Sequence, residues 1–310
     1  MTRKGNRMFD KTLKRGTLLL AVLLAVLVAG GCGEAGEEAQ EATEPPQETE
    51  ALRVGLIPNQ APEEVETRYE PLGDYLSEEL GRPVELSVPT GYPAVVEAMA
   101  AGELDLAYFG GLTYVQARER AEVSPLVTEV NPRTGDTTYR AAIVVPAASD
   151  IETVEELEGA DFAFGSVSST SGSLYPSVML ADAGIDYRTD LGNYTYTGGH
   201  DATAQAVANG NVDAGGLEYR ILLDLQEEGI IDPDDVRVIA TSDPIQGYPW
   251  VVRDELPEDL RESIATAFLE LNDPELLDLL RAEGYERVEA SDYDYVEERA
   301  RELDLLTETG

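Results

Sequence analysis

The strongest constraint on the fold comes from the first third of the chain, where short apolar runs alternate with longer segments of helical periodicity. Leu52 to Ile57 predicts a strand, the next apolar residues recur at helical spacing until Gly81, and Val84 to Val88 predicts a second strand. Another helix leads to a third strand, Leu104 to Phe109. This order predicts a parallel sheet covered by helices, with ligands bound beyond the carboxyl ends of its strands.

A second α/β unit begins at Ile151 and alternates in the same way up to Thr241. Two extended stretches, Tyr139 to Val145 and Asp243 to Val252, are placed to cross between the units, and Pro257 to Leu305 is predicted to be almost wholly helical. We therefore expect an α/β, two-lobed fold with a ligand cleft between the lobes, two crossing segments and hinge closure. The predicted boundaries are residues 51–145 for the first part of lobe 1, 146–243 for lobe 2 and 244–310 for the return to lobe 1.

The amino terminus is predicted to be a lipoprotein signal peptide, residues 1–31. Six Lys or Arg precede an apolar run that is shorter than a membrane span, and small residues come directly before Cys32, the only cysteine. Cys32 would then carry the lipid, whereas the alternative is an uncleaved anchor. Residues 32–50 are expected to be a disordered acidic tether. Both alternatives place the folded part outside the cytoplasm, attached to a membrane.

The charge of the chain limits its partners. The net charge is −39, and loss of residues 1–31, which carry six positive charges and one negative charge, leaves −44 with no lysine. Such a surface repels nucleic acid and anionic lipid and suits solubility in strong salt. With one histidine, and one cysteine assigned to the lipid, the chain also lacks the ligands of a catalytic metal site, and we expect no metal and no cofactor.

The most informative stretch for function is Asp161 to Pro176, DFAFGSVSSTSGSLYP. A short strand runs into a loop of hydroxyl residues and then into a helix, and the head of a helix presents free backbone N–H groups and a positive dipole end. Ser169, Thr170 and Ser171 would add hydroxyl donors, and Gly172 would let a ligand approach the backbone. The alternative is that these residues only cap the helix.

Four further residues are candidates for binding an anion. His200, the only histidine, stands at another predicted helix head, where its ring would donate to an anion, and a bound dianion would raise its pKa. Tyr92 and Tyr108 would supply phenol donors from lobe 1, unless they are core residues. Glu218 would accept a P–OH hydrogen and so reject sulfate, unless it is one more solvated carboxylate.

An enzyme is a less favoured interpretation. Ser169, His200 and Asp213 have the residue types of a catalytic triad, but the chain has no G-x-S-x-G elbow. The Gly-containing loop is also not a P-loop, since no Gly-Lys-Ser/Thr follows. We therefore expect a binding protein, with a serine hydrolase as the weaker alternative.

Together these segments resemble the PhnD-like family of phosphate, phosphite and phosphonate binding proteins of ABC importers. The resemblance rests on Ser169-Thr170-Ser171-Gly172 with Pro176, on Gly199-His200 with Thr203, and on Asp105 to Gly110. It implies a type II periplasmic-binding-protein fold and a monomer that works with an ABC permease and its ATPase. It also implies that Ser169, Thr170, Ser171 and His200 hold the phosphonyl oxygens, with Tyr92 and Tyr108 facing them.

The chain departs from the aminoalkylphosphonate binders, in which the resemblance places carboxylates around the substrate ammonium. Arg220 and Tyr248 align at those two positions, and neither can neutralise an ammonium. We therefore predict inorganic phosphate, phosphite or a small alkylphosphonate as the ligand. The alternative use of the same fold is an extracytoplasmic sensor that reports ligand occupancy to a separate signalling partner.

Overall fold

The structure is a computed structural model, and it describes residues 50–306. The predicted signal peptide, Cys32, the tether up to residue 49 and residues 307–310 lie outside the described part. Between residues 50 and 306, no helix combines the length and the apolar character needed to cross a membrane.

The elements follow one another in chain order, with three short turns among them. The strands are β1 (Leu52–Leu56), β2 (Val84–Ser87), β3 (Leu106–Tyr108), β4 (Val123–Val130), β5 (Thr138–Tyr139), β6 (Ala141–Pro146), β7 (Asp161–Phe164), β8 (Asn193–Tyr196), β9 (Ala214–Glu218), β10 (Val236–Thr241), β11 (Ile245–Gln246), β12 (Pro249–Arg253) and β13 (Gly284–Arg287). The helices are α1 (Pro62–Leu80), α2 (Tyr92–Ala100), α3 (Gly111–Arg118), α4 (Tyr175–Asp182), α5 (His200–Ala208), α6 (Tyr219–Glu227), α7 (Glu258–Glu270), α8 (Pro274–Leu279) and α9 (Asp294–Glu302). Short 3₁₀ turns span Val154–Leu157 and Ala290–Tyr293, and a π-helical turn spans Thr170–Leu174.

Lobe 1 is built on a six-stranded sheet with the order β13-β4-β12-β3-β1-β2. Strand β1 pairs in parallel with β2 and β3, as the alternation of strands and helices predicts. The other pairings are antiparallel, because β12, which pairs with β3 and β4, and β13, which pairs with β4, run in the opposite direction. The sheet is mixed because the chain returns from lobe 2 and inserts β12 into its middle.

Lobe 2 is built on a five-stranded sheet with the order β10-β6-β9-β7-β8. Its strand β6 is buried on both faces, and its side chains alternate between two cores: Ala142 and Val144 pack on one face, and Ile143 and Val145 on the other. This is the period of two expected for a strand covered on both sides. Strands β7, β8 and β9 are parallel, so the turns after β7 and β8 open at the same edge.

The two crossing segments pair with each other. Strand β5 on the first crossing and strand β11 on the second form a two-stranded antiparallel ribbon, in which Tyr139 lies opposite Ile245. The ribbon places Tyr139 between the two sheets.

Two boundaries differ from the sequence prediction. The strand predicted from Tyr139 to Val145 is two strands, and β6 pairs with β9 and β10, so residues 141–145 belong to lobe 2 rather than to lobe 1. The return segment is not almost wholly helical either, because β13 forms between α8 and α9 and pairs with β4. Strand β13 has only four residues, of which Glu286 and Arg287 are exposed, so it carries little apolar pattern.

Candidate ligand-binding site

The hydroxyl-rich stretch is a strand-to-helix turn, as predicted. It follows β7 and includes the π-helical turn before α4, in which the Leu174 N–H donates to the Ser169 carbonyl at 3.0 Å. Ser169 is the N-cap residue, and its Oγ accepts the Gly172 N–H at 3.0 Å. Single π turns of this kind are frequent at functional sites.

Gly172 is required by close packing around the turn. The Gly165 N–H donates to the Gly172 carbonyl at 2.8 Å. A Cβ at Gly172 would lie 2.9 Å from the Ser169 Oγ and 3.1 Å from the His200 Cε1. The structure therefore explains Gly172 by its neighbours within the protein, whereas the sequence argument assigned it to the approach of a ligand.

The three hydroxyls of the turn differ in how they are used. Ser169 and Thr170 each accept one backbone N–H, and the donor to the Thr170 Oγ1 is the Leu112 N–H of lobe 1, at 2.9 Å. Accepting leaves the hydroxyl hydrogen free to donate. The Ser171 Oγ is buried and has no hydrogen-bond partner among residues 50–306. The turn therefore offers hydroxyl donors and no charged group.

His200 is the first residue of α5 and is 1% exposed. Its Nδ1 accepts the Glu218 N–H at 3.2 Å, so the neutral ring carries its proton on Nε2. The Nε2 is buried without a hydrogen-bond partner in the described part of the chain. Burial lowers the pKa of His200, and the Glu218 carboxylate opposes this effect. The ring is thus a neutral donor.

Two tyrosines lie beside the turn. Tyr92, the first residue of α2, is fully buried, and burial raises its pKa while the neighbouring Ser169 hydroxyl opposes the rise. Burial likewise raises the pKa of Tyr139, and the Glu218 carboxylate adds to the rise. The Thr170 and Ser171 hydroxyls lie near the phenol oxygen and oppose the rise, but neither meets hydrogen-bond geometry with it. The Tyr139 hydroxyl has no hydrogen-bond partner within residues 50–306. Sequence reasoning missed Tyr139, although its place on a crossing segment next to the cleft could have identified it.

Tyr108 lies elsewhere than predicted. Its hydroxyl donates to the Glu129 Oε1 at 3.3 Å, and its ring stacks on that of Tyr248 at 5.3 Å. The side chain therefore belongs to a group of aromatic residues behind the site. The second tyrosine beside the turn is Tyr139.

Glu218 also differs from its expected role. It is fully buried, and its Oε1 accepts from Arg220 at 2.9 Å while its Oε2 accepts from the Tyr248 hydroxyl at 2.6 Å. Because protein donors already engage both oxygens, the geometry does not favour Glu218 as the acceptor of a ligand hydroxyl. Its backbone instead orients His200.

The arrangement does not support a serine hydrolase. In a triad, a carboxylate would hold the histidine Nδ1–H, but the His200 Nδ1 accepts a backbone N–H. The carboxylate of Asp213 accepts the Asp161 N–H instead. The three residues of the suggested triad therefore have separate structural partners.

The lobes touch at the site. The His200 N–H donates to the Asn59 carbonyl of lobe 1 at 3.0 Å, in addition to the bond between Leu112 and Thr170. The loop of Asn59 directly follows β1, at the carboxyl edge of the first sheet, where ligands of such folds bind.

Residues 54–293 match the family described as ABC transporter, phosphonate, periplasmic substrate-binding protein. The chain belongs to this family. The resemblance seen in the hydroxyl-rich turn and the His200 segment is thus confirmed. The family consists of binding proteins rather than enzymes, as predicted, and it places the folded part outside the cytoplasm and in partnership with an ABC transporter.

Individual relatives of the chain are also named as binding or import proteins for phosphorus oxyanions. The phosphate-import protein PhnD of Mycolicibacterium smegmatis is 29% identical over 258 residues, which cover 80% of this chain and 79% of the relative. A probable phosphite-binding protein, PhnD1 of Prochlorococcus marinus, is 27% identical over 271 residues, covering 82% and 90%. The solved structure of that species' PhnD1 with methylphosphonate has a TM-score of 0.75 at 26% identity and covers 82% of this chain and 98% of its own. The two-lobed binding-protein fold is confirmed.

Proposed function

We propose that this chain captures a tetrahedral phosphorus oxyanion between its lobes and delivers it to an ABC permease and its ATPase. The ligand would be phosphate, phosphite or a small alkylphosphonate, and the protein would act as a monomer. The observation that carries the proposal is a group of three buried polar atoms that have no hydrogen-bond partner among residues 50–306: the Ser171 Oγ, the Tyr139 hydroxyl and the His200 Nε2. Such atoms are costly to bury unless something outside the chain satisfies them.

The chemistry of this group suits an anion. All three atoms belong to groups that can donate a hydrogen bond, and the Ser169, Thr170 and Tyr92 hydroxyls beside them can donate as well. Hydrogen bonds from neutral donors to a charged acceptor are about twice as strong as those between neutral groups. The site can therefore hold an anion at short range within a strongly acidic protein.

The names of the relatives support this choice of ligand. One is a phosphate-import protein, and the other, PhnD1 of Prochlorococcus marinus, is a probable phosphite-binding protein whose solved structure contains methylphosphonate. These ligands share a tetrahedral phosphorus with anionic oxygens. Any further substituent on the phosphorus is small. We propose the same class here.

Closure of the lobes is the second part of the proposal. Donors come from lobe 1 (Tyr92), from a crossing segment (Tyr139) and from lobe 2 (Ser171, His200), so only a closed cleft would surround the ligand. The bond from Leu112 to Thr170 would break on opening. We expect the radius of gyration, measured by small-angle scattering, to fall when ligand is added, and an unchanged value at saturation would reject hinge closure.

The lipid anchor is the third part. We propose that signal cleavage leaves Cys32 as the lipidated first residue, because small residues precede it and it is the only cysteine. Labelling of cells with a fatty-acid analogue should mark the protein, and Cys32→Ala should lose the label and leave the membrane fraction. Label that persists in Cys32→Ala would contradict the anchor.

Calorimetry tests the ligand class directly. The mature chain from residue 32, with Cys32→Ser, is titrated with phosphate, phosphite, methylphosphonate, 2-aminoethylphosphonate and sulfate. We expect binding of at least one of the first three and weaker binding of 2-aminoethylphosphonate, and sulfate serves as the tetrahedral anion without phosphorus. Tight binding of sulfate or 2-aminoethylphosphonate alone would assign a different ligand, and binding of none would reject the proposal.

A further inference from the structure

A buried guanidinium lies between carboxylates from both lobes. Arg220, whose side chain is 12% exposed, donates from Nε to the Glu218 Oε1 at 2.9 Å and from Nη2 to the Glu129 Oε1 at 3.1 Å. Glu218 ends β9 in lobe 2, whereas Glu129 lies on β4 in lobe 1. One cation therefore serves two carboxylates in the same buried region.

This ionic network borders the proposed ligand site. The Glu218 backbone holds the His200 ring, and the Glu218 carboxylate contributes to the raised pKa of Tyr92 and Tyr139, after burial. The Tyr248 hydroxyl donates to the same carboxylate, and the Tyr248 ring lies 5.1 Å from that of Tyr139. A negative charge on Glu218 therefore acts at short range on the groups that would hold the anion.

An anion next to an uncompensated carboxylate would be repelled, and the more so in a region without water. Arg220 compensates the charge of one carboxylate, and burial raises the pKa of Glu129, which favours the neutral form of the second. Its guanidinium also fills the space between Glu218 and Glu129, where the carboxylates could otherwise hold a positively charged group of a ligand.

We infer that Arg220 sets the charge selectivity of the site: it permits a phosphorus oxyanion beside Glu218 and excludes ligands that carry a cationic substituent. The inference rests on the proposed function. It narrows the ligands to phosphorus oxyanions that carry a neutral substituent or none. The residue that selects them, Arg220, has one partner in each lobe.

Two ligands of equal heavy-atom count test the inference. Propylphosphonate and 2-aminoethylphosphonate differ at the end of the chain, where one has a methyl group and the other an ammonium. Their dissociation constants are measured by calorimetry for the wild type, Arg220→Gln and Arg140→Gln. Arg140 is the matched control, because it lines the same cavity beside the crossing segments as Arg220 but donates to the Ser242 carbonyl.

In Arg220→Gln, the ratio of the two affinities should shift toward the ammonium ligand by a factor on the order of 10 to 100, the range for one charge-assisted hydrogen bond. The affinity for phosphate should fall, and Arg140→Gln should leave the ratio unchanged. An unchanged ratio in Arg220→Gln, with wild-type binding intact, would overturn this inference alone. Absence of binding to any phosphorus oxyanion in the wild type would overturn the proposed function instead.

Removing a buried cation can prevent folding. Glu129→Gln therefore serves as the second variant, because it keeps Arg220 and removes one of the two carboxylates. We expect it to disfavour the ammonium ligand relative to propylphosphonate beyond the wild-type ratio. A shift in the opposite direction would contradict the inference even if Arg220→Gln does not fold.

Discussion

Two buried polar regions lie side by side where the lobes meet. In the hydroxyl-rich turn the groups are neutral, and Ser171 has no partner within the described chain. In the neighbouring network the groups are ionisable, and Arg220 bridges the carboxylates of Glu218 and Glu129. Both regions join lobe 1 to lobe 2, through the Thr170 and Arg220 side chains respectively.

We interpret the hydroxyl-rich turn as the surface that binds the ligand and the Arg220 network as the wall that supports it. Buried groups are normally satisfied within a protein, so donors that lack partners indicate where a ligand supplies the acceptor. In the ionic network, Arg220, both Glu218 oxygens and the Glu129 Oε1 are already paired, and they fix the shape and charge of the wall. The following predictions test this division, from the largest expected effect to the smallest.

Thr170→Val should have the largest effect, because this hydroxyl serves both the ligand and the lobe contact. The change removes a donor to the anion and leaves the Leu112 N–H without its acceptor. Together these losses should weaken binding by about 2–4 kcal/mol. Calorimetry with the preferred oxyanion measures the loss. Thr170→Ser, which keeps the hydroxyl, should retain most of the affinity, and equal affinities in both variants would remove Thr170 from the site.

Ser171 and Ser173 form a matched pair within the same turn. The Ser173 hydroxyl donates to the Ser166 carbonyl at 2.6 Å, whereas that of Ser171 has no partner among residues 50–306. Ser171→Ala should weaken ligand binding by about 1.5–3 kcal/mol with little change in stability, while Ser173→Ala should lower the free energy of unfolding by about 1 kcal/mol. Calorimetry and urea unfolding separate the two effects, and the reverse pattern would contradict the division.

Tyr139 and Tyr108 are the second matched pair. Tyr139→Phe removes a hydroxyl beside the turn and should weaken binding by about 1–2 kcal/mol, whereas Tyr108→Phe removes a long bond to Glu129 and should change affinity by less than about 0.5 kcal/mol. Isothermal titration of both variants with methylphosphonate decides between them. A larger loss for Tyr108→Phe would restore the original sequence prediction.

His200 should give the smallest effect, through pH. Burial lowers its pKa in the free protein, and a bound anion should raise it, so binding takes up protons. Affinity should therefore rise as the pH falls through the bound-state pKa and level off below the free-state pKa. The total change should be less than about tenfold, because the Nδ1 that would take up the proton already accepts the Glu218 N–H. The difference in log Kd between wild type and His200→Gln, followed over this pH range, isolates the effect. A difference that does not change with pH would contradict the coupling.

The sequence predicts most of the fold because strand and helix periodicities alternate clearly. The exceptions have local reasons. Strand β13 is four residues long and half exposed. Strands β5 and β6 are separated only by Arg140, so the sequence shows one continuous extended segment. The return of β12 into the first sheet depends on contacts between residues far apart in the chain, which periodicity does not report.

The site was predictable where its residues are local in sequence. Ser169, Thr170 and Ser171 lie together on a helix head, and His200 stands at another, so turn chemistry identifies both. Tyr108, Tyr139 and Glu218 could not be sorted in this way. For Tyr108 and Glu218, whether the polar atoms face a ligand or a protein partner depends on Glu129 and Arg220, which only the fold brings near. For Tyr139 it depends on the ribbon of β5 and β11 and on the turn of lobe 2 beside it.

The central claim is that neutral donors gathered from both lobes bind a phosphorus oxyanion. A crystal structure of the mature chain grown with phosphite tests it most directly. We expect phosphite oxygens at about 2.6–3.2 Å from the Ser171 Oγ, the Tyr139 hydroxyl and the His200 Nε2. An anion bound at arginine side chains elsewhere, with these three atoms satisfied by water or protein groups, would contradict the account.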